Sequence, residues 1–211
     1  MSALTDYYDL LLPELPGCPT AMLDLHLVET VRIFCASTAV WREALTPINL
    51  QAGVATYAMA VPAGSALDRL TSLTVNGELL WKLTSRLDDR QADGVQPKYT
   101  ENQPPFQLSA NLDSITLLEV PSSNVTAGLA ITAALKPVQG ATVIPDFIKS
   151  QYSEAIRHGV LSRLMAMGKK PWTDRELALV YSSRWNSALG FSAYQSQIGN
   201  TREPLRVKKV F

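Results

Sequence analysis

Residues 15–41 read LPGCPTAMLDLHLVETVRIFCASTAVW and hold both cysteines of the chain and one of its two histidines. Their reading decides whether the chain begins with a redox or metal site or with a packing helix. Leu23, Leu27, Val31, Phe34, Cys35 and Thr38 recur at helical spacing, while His26, Glu29, Arg32 and Ser37 fall mainly on the other sides. Cys18 lies in a Gly-Cys-Pro turn before the helix, and Cys35 lies seventeen residues on. A helical span of that length is roughly 25 Å, whereas a disulfide needs Cα atoms within about 7 Å. The spacing also fits no zinc motif, and the chain has neither CxxC nor HExxH. The stretch is therefore a helix that packs, opened by Thr20 as its cap and running to Val40 or Trp41. Val28 and Ile33 broaden its apolar surface, which predicts contact on more than one side, in a bundle or an oligomer.

Outward from this helix the period changes. Thr56–Val61, Arg69–Val75, Glu78–Leu83, Ser114–Val120 and Leu129–Leu135 read as short strands, and Asn76-Gly77 is a hairpin turn because both residues tolerate positive φ. Residues 85–112, rich in charge, proline and amides, read as a long loop. Helix resumes at Pro145 or Asp146 and is expected to end at Gly168. A corner, GKKPW, comes next, and Thr173 with Glu176 forms a predicted capping box for a last helix. The fold class is α+β: a bundle of about three helices with an inserted small antiparallel β-domain and an extended C-terminal tail. Residues 1–45 and 141–199 form the discontinuous helical domain, 46–140 the β-domain and 200–211 the tail. Leu27, Val31, Phe34, Trp41, Ile156, Trp172, Tyr181 and Trp185 are the expected packing residues of the bundle or of subunit contacts.

With 46% hydrophobic and 18% charged residues, the 211-residue chain has the composition of a folded domain. No apolar run approaches a membrane span, and the acidic N-terminus is unlike a signal peptide, so a cytoplasmic origin is expected. Formal charge is zero but polarised: residues 147–211 carry 11 Lys and Arg against 4 Asp and Glu, a net of +7, which the remainder balances with −7. Such polarity suits acidic partners or nucleic acid for the basic end, and lets copies of one chain attract head to tail.

Catalytic and cofactor motifs are missing. There is no GxSxG elbow and no phosphate-binding glycine loop, and His26 and His158 are the only imidazoles. Asp88, Asp89 and Asp93 are interleaved with Arg86 and Arg90 and lack the spacing of a calcium loop. No metal, no cofactor and no enzymatic activity are expected. Lys169, Lys170, Arg206, Lys208 and Lys209 form basic clusters that could meet phosphates, without any helix-turn-helix or RNA-binding signature. The tail, Leu205, Arg206, Val207, Lys208, Lys209, Val210 and Phe211, alternates apolar and basic residues, as does a strand added to a partner's sheet edge.

Residues 7–44, with the LPELPGCP turn and the helix ending FCASTAVW, resemble the N-terminal region of head-to-tail adaptor proteins of short-tailed bacteriophages, the tail tubular protein A group. The later NG-containing β-stretch and residues 144–189, with helix, GKKPW corner and helix in order, are similar too. The likeness covers most of the chain except about 85–112. It implies a homo-oligomeric ring, commonly of twelve subunits, beneath the portal at the capsid vertex. The ring would extend the channel through which genomic DNA passes without sequence recognition. By the same resemblance the tail binds the portal, the β-domain meets the tail nozzle, tail tube or neighbouring subunits, and no membrane is involved. The alternative is a non-enzymatic nucleic-acid-binding module that uses the basic C-terminal third.

Overall fold

The computed structural model describes residues 1–83 and 104–197. The chain enters through a two-residue strand, β1 (Ser2–Ala3), a 3-10 turn, one helical turn, α1 (Tyr8–Leu11), and a second 3-10 turn. Pro13 and Pro16 deny these turns the backbone donors that would let them grow into a long helix. The segment nevertheless buries Tyr7, Leu11 and Leu15 completely, so it serves as an apolar cover for the long helices.

Gly17, at φ 76°, turns the chain into α2 (Thr20–Thr38). The cap is Pro19, one residue before the expected Thr20, and its carbonyl accepts the N–H groups of Met22 and Leu23. The helix also stops earlier than the sequence suggests. Ala39 takes a left-handed conformation (φ 49°, ψ 36°) and returns its N–H to the Cys35 carbonyl. Trp41 is therefore outside the helix, buried, with its indole N–H donating to Glu43 at 3.2 Å.

Among the described residues, nine further strands are all antiparallel where they pair. They are β2 (Arg42–Ala44), β3 (Ile48–Leu50), β4 (Thr56–Ala58), β5 (Ser65–Val75), β6 (Glu78–Lys82), β7 (Phe106–Leu108), β8 (Ser114–Leu117), β9 (Val125–Pro137) and β10 (Val143–Ile144). One sheet runs β2-β9-β5-β6, with β3 also on β9; a second runs β4-β8-β7; β1 and β10 pair with each other. Asn76 (φ 51°) and Gly77 (φ 81°) make the expected β5–β6 hairpin turn. Two boundaries differ from the sequence reading. The main sheet begins at Arg42, ahead of residue 46, because β2 finds hydrogen-bonding partners on the long β9. The segment read as a loop over 85–112 contains β7 and a turn in which Ser109 Oγ donates to Asp113 and accepts the N–H groups of Asp113 and Ser114. The rest of that segment, including Asp88, Asp89 and Asp93, lies outside the described residues, as does the tail from 200 to 211.

Helix α3 (Asp146–Met165) opens after Pro145 as expected, and the N-terminal ammonium and the Ser2 hydroxyl both donate to Asp146. It ends before Gly168, and the left-handed residue of the corner is Lys169 (φ 62°). Helix α4 (Arg175–Gln197) is capped by Asp174, whose Oδ1 accepts the Leu177 N–H at 3.0 Å. The predicted Thr173–Glu176 box does not form, because the Thr173 hydroxyl accepts the Lys170 N–H and donates to the Met167 carbonyl.

Helices α2, α3 and α4 contact one another, and α2 also lies on β9. Gly159 marks the closest approach: a Cβ there would sit 2.6 Å from Thr30 Cγ2 and 2.8 Å from Trp185 Cε3. Phe34 fills the space beside it, with ring centroids 5.0 Å from Tyr152 and 5.8 Å from Trp185. Most of the wide apolar surface of α2 is thus covered within the chain, by helices on one side and sheet on the other, with Leu25 left exposed. The buried apolar residues form one cluster that continues from the helices into the sheets. Among the described residues, no helix is long and apolar enough to cross a membrane.

Candidate functional site

The eight residues expected to pack, Leu27, Val31, Phe34, Trp41, Ile156, Trp172, Tyr181 and Trp185, are all buried within a single chain. Trp172 lies under the corner between α3 and α4. Cys18 and Cys35 are buried free thiols. Burial raises the Cys18 pKa, and burial followed by the nearby Asp68 charge pushes Cys35 up to about 12. Neither thiol has the lowered pKa that makes a cysteine nucleophilic. Among the described residues no three His, Cys, Asp or Glu side chains converge as a metal site.

The densest polar cluster joins the N-terminal segment to α3 and α4. Glu14 accepts from Arg157 through one oxygen and from the Tyr181 hydroxyl through the other. Arg157 also donates to the Leu10 carbonyl at 3.2 Å and to Glu154 at 3.1 Å. Burial works against the Arg157 charge, but the Glu14 hydrogen bond and charge overcome it and raise its pKa. His158 stacks on the Tyr181 ring at 5.6 Å, and burial lowers its pKa despite Glu154 at 3.8 Å. Glu14 and Arg157 tie the N-terminal segment to α3 and α4, and Glu154 supports Arg157 from within α3, so the cluster reads as a clamp.

The unspent surface is apolar and lies elsewhere. On α4 the buried side chains are Ala178, Tyr181, Trp185 and Ser192, whereas Leu177, Leu179, Val180, Phe191 and Tyr194 are exposed. Leu177 with Val180, and Phe191 with Tyr194, form two apolar pairs on one outward flank of the helix, with Arg184 and Ser187 between them on the same flank. The helical row Leu177, Tyr181, Trp185, Ala188 and Ser192 is legible in the sequence, but its first member is exposed, and the signal for a second face was the pairing of apolar residues at 177/180 and 191/194 beside that row.

Three hollows adjoin such residues. Between α3 and α4 a groove of about 670 Å³ is lined by Arg163, Arg175, Leu179 and Trp185, among others. A smaller one of about 170 Å³ lies beside α2 at Asp24, Leu25, Val28 and Glu29. The third, about 250 Å³, separates the β5–β6 hairpin from β8, with the exposed Val120 among its lining residues. The third hollow also carries Glu78, Glu119, Ser122 and Ser123 on its lining. The tail residues Leu205–Phe211 lie outside the described residues.

No protein-family model matches the chain, and a search of curated proteins finds no significant match.

Proposed function

We propose that this chain is a structural head-to-tail adaptor of a bacteriophage virion, with no catalytic role. In this reading copies of the chain form a ring, of twelve as in the adaptors it resembles, at the capsid–tail junction beneath the portal. The three helices make the bundle that builds the ring, and the β-domain faces the tail nozzle or tail tube. The tail, Leu205–Phe211, is extended and docks on the portal. Genomic DNA passes through the ring's channel without sequence recognition, no membrane takes part, and the protein is made in the host cytoplasm before entering the virion.

The observation that carries this reading is the exposed apolar flank of α4. Isolated exposed apolar residues are ordinary, but an aligned set on one helix favours a protein partner. The charge polarity of the sequence adds an attraction between different faces of neighbouring copies, which a closed ring requires. The resemblance of residues 7–44 and 144–189 to short-tailed phage adaptors supplies the identity of the partners.

The competing reading is nucleic-acid binding through the basic C-terminal third. It is favoured by the exposed corner lysines, Lys169 and Lys170, which stand near Arg175 in sequence. Two measurements on the full chain and on a chain ending at residue 203 separate the readings. The adaptor reading predicts that the full chain co-sediments with the portal of the same virus and that the shortened chain does not. If shortening leaves portal binding intact, and the full chain binds DNA with affinity falling steeply as salt rises, the nucleic-acid reading replaces it.

A further inference from the structure

Resting on the ring reading, we propose that the α3–α4 groove of one copy receives the α2 ridge around Leu25 of the next copy. The groove and the ridge are complementary in two independent ways. Leu179, on the groove's lip, is 73% exposed, the most exposed large apolar side chain among the described residues. Arg163 and Arg175 line the same groove, and among the described residues no carboxylate lies within ion-pair distance of either. On α2, Leu25 is 62% exposed and is flanked by Asp24 and Glu29. Asp24 accepts one hydrogen bond, from Tyr8 at 2.8 Å, and Glu29 meets Arg32 only at 3.5 Å, so the ridge keeps acceptor capacity and a net negative charge.

The two patches lie on different sides of the helical layer. His26 is close enough to Arg163 for that arginine's charge to help lower its pKa, after burial. Leu25 precedes His26 by one residue and so points about 100° away around the helix. Asp24, Leu25 and Val28 turn from the His26 side, while Glu29, whose charge also reaches His26, stands at the near edge of the ridge, so a chain does not fill its own groove with Leu25. Patches placed in this way pair head to tail, the heterologous contact that closes a ring. Other occupants fit less well. A nucleic-acid strand would satisfy the two arginines but not Leu179, Ala178 and the Trp185 face. The chain's own C-terminal segment brings Arg206, Lys208 and Lys209 to a groove that is already positive.

The test uses full-length chains carrying Leu25→Cys or Leu179→Cys. The native thiols are buried and raised in pKa, which keeps them out of the exchange. Mixed in equal amounts under mild oxidant, the two variants are expected to form a disulfide-linked heterodimer at least roughly ten times faster than either forms a homodimer, and the double variant to form a ladder. Reversing both arginines (R163E with R175E) in the Leu179→Cys chain should slow the heterodimer by about ten-fold, and D24K with E29K in the other chain should restore it. Circular dichroism and thermal melting confirm that the reversed chains fold. Homodimers forming as fast as the mixture, or a rate indifferent to arginine reversal in a folded chain, overturns the pairing. Loss of the cross-link with portal docking retained removes this interface alone. A cross-link without portal docking leaves the pairing and removes the adaptor.

Discussion

Replacing Gly159 by alanine should destabilise the protein, and replacing Gly190 by alanine should stabilise it. Both glycines sit inside long helices, where alanine is favoured over glycine by about 1 kcal/mol. At Gly159 the added methyl would stand 2.6 Å from Thr30 Cγ2 and 2.8 and 2.9 Å from two carbons of the Trp185 ring. Comfortable carbon contacts lie near 3.5–4.0 Å, so the nearest is short by roughly 1 Å. Neither neighbour is a loose end: Thr30 is fully buried, and Trp185 is buried against Phe34. Overpacking costs about 1–3 kcal/mol, and three contacts under 3 Å to buried side chains put this site in the upper part of that range, about 2–3 kcal/mol, which exceeds the helix gain and leaves a net loss of about 1–2 kcal/mol. At Gly190 no heavy atom lies within 4 Å, so the helix gain stands alone. The two variants should differ by about 2–3 kcal/mol, a ratio of roughly 30- to 150-fold in the unfolding constant. Urea denaturation of the full chain measures this, with the slope unchanged between variants. A Gly159→Ala chain as stable as the parent would refute the tight three-helix contact on which the arrangement of α2, α3 and α4 rests.

Gly77→Ala should cost about 1–2 kcal/mol, because residue 77 sits at φ 81° with no neighbour to compensate, and it should be seen as a lowered urea midpoint. An unchanged midpoint would argue against the hairpin turn. Glu14→Ala removes the acceptor shared by Arg157 and Tyr181. Both partners of the ion pair are about a quarter exposed, so the loss should be limited to about 1–2 kcal/mol by the same assay. Burial lowers the pKa of both His26 and His158 below the ordinary value of 6.5. The unfolded chain therefore binds protons that the native chain refuses, so stability is full above about pH 6.5 and falls as acidification passes through the native values. Comparing urea midpoints at neutral and mildly acid pH should show this, and a chain with both histidines replaced by glutamine should lose most of the dependence.

Local signals were readable where a residue's own conformational preference decides the structure. Asn76-Gly77 is the clearest case, since positive φ at both positions admits few other structures. The strands around it, the start of α3 after Pro145 and the buried stripe of Phe34, Ile156, Tyr181 and Trp185 were readable from local pattern in the same way. Features fixed by pairing at a distance were not. Arg-Glu-Ala at 42–44 has no strand pattern of its own, and Ile-Asn-Leu at 48–50 alternates over only three residues; both become strands, β2 and β3, because β9 offers them backbone partners. Helix caps shifted by one residue at Pro19 and Asp174, where neighbouring threonine hydroxyls lost the competition or found other bonds. The breadth of apolar surface on α2 predicted contact on more than one side, in a bundle or an oligomer, and within the chain α3, α4 and β9 cover most of it, leaving Leu25 exposed. The exposed flank of α4 went unseen because Leu177 and Tyr194 border the buried stripe on the helical wheel, and only packing tells which side of the border is covered.

The central claim is that this chain's uncovered surfaces exist to be occupied by copies of itself and by virion components. Electron microscopy of the full chain mixed with the portal of the same virus addresses it in one measurement. A closed ring of this chain seated coaxially on the portal, with helices at the contacts between neighbours, is the predicted result. Portal particles that carry no added density at a saturating concentration of the chain would contradict the account.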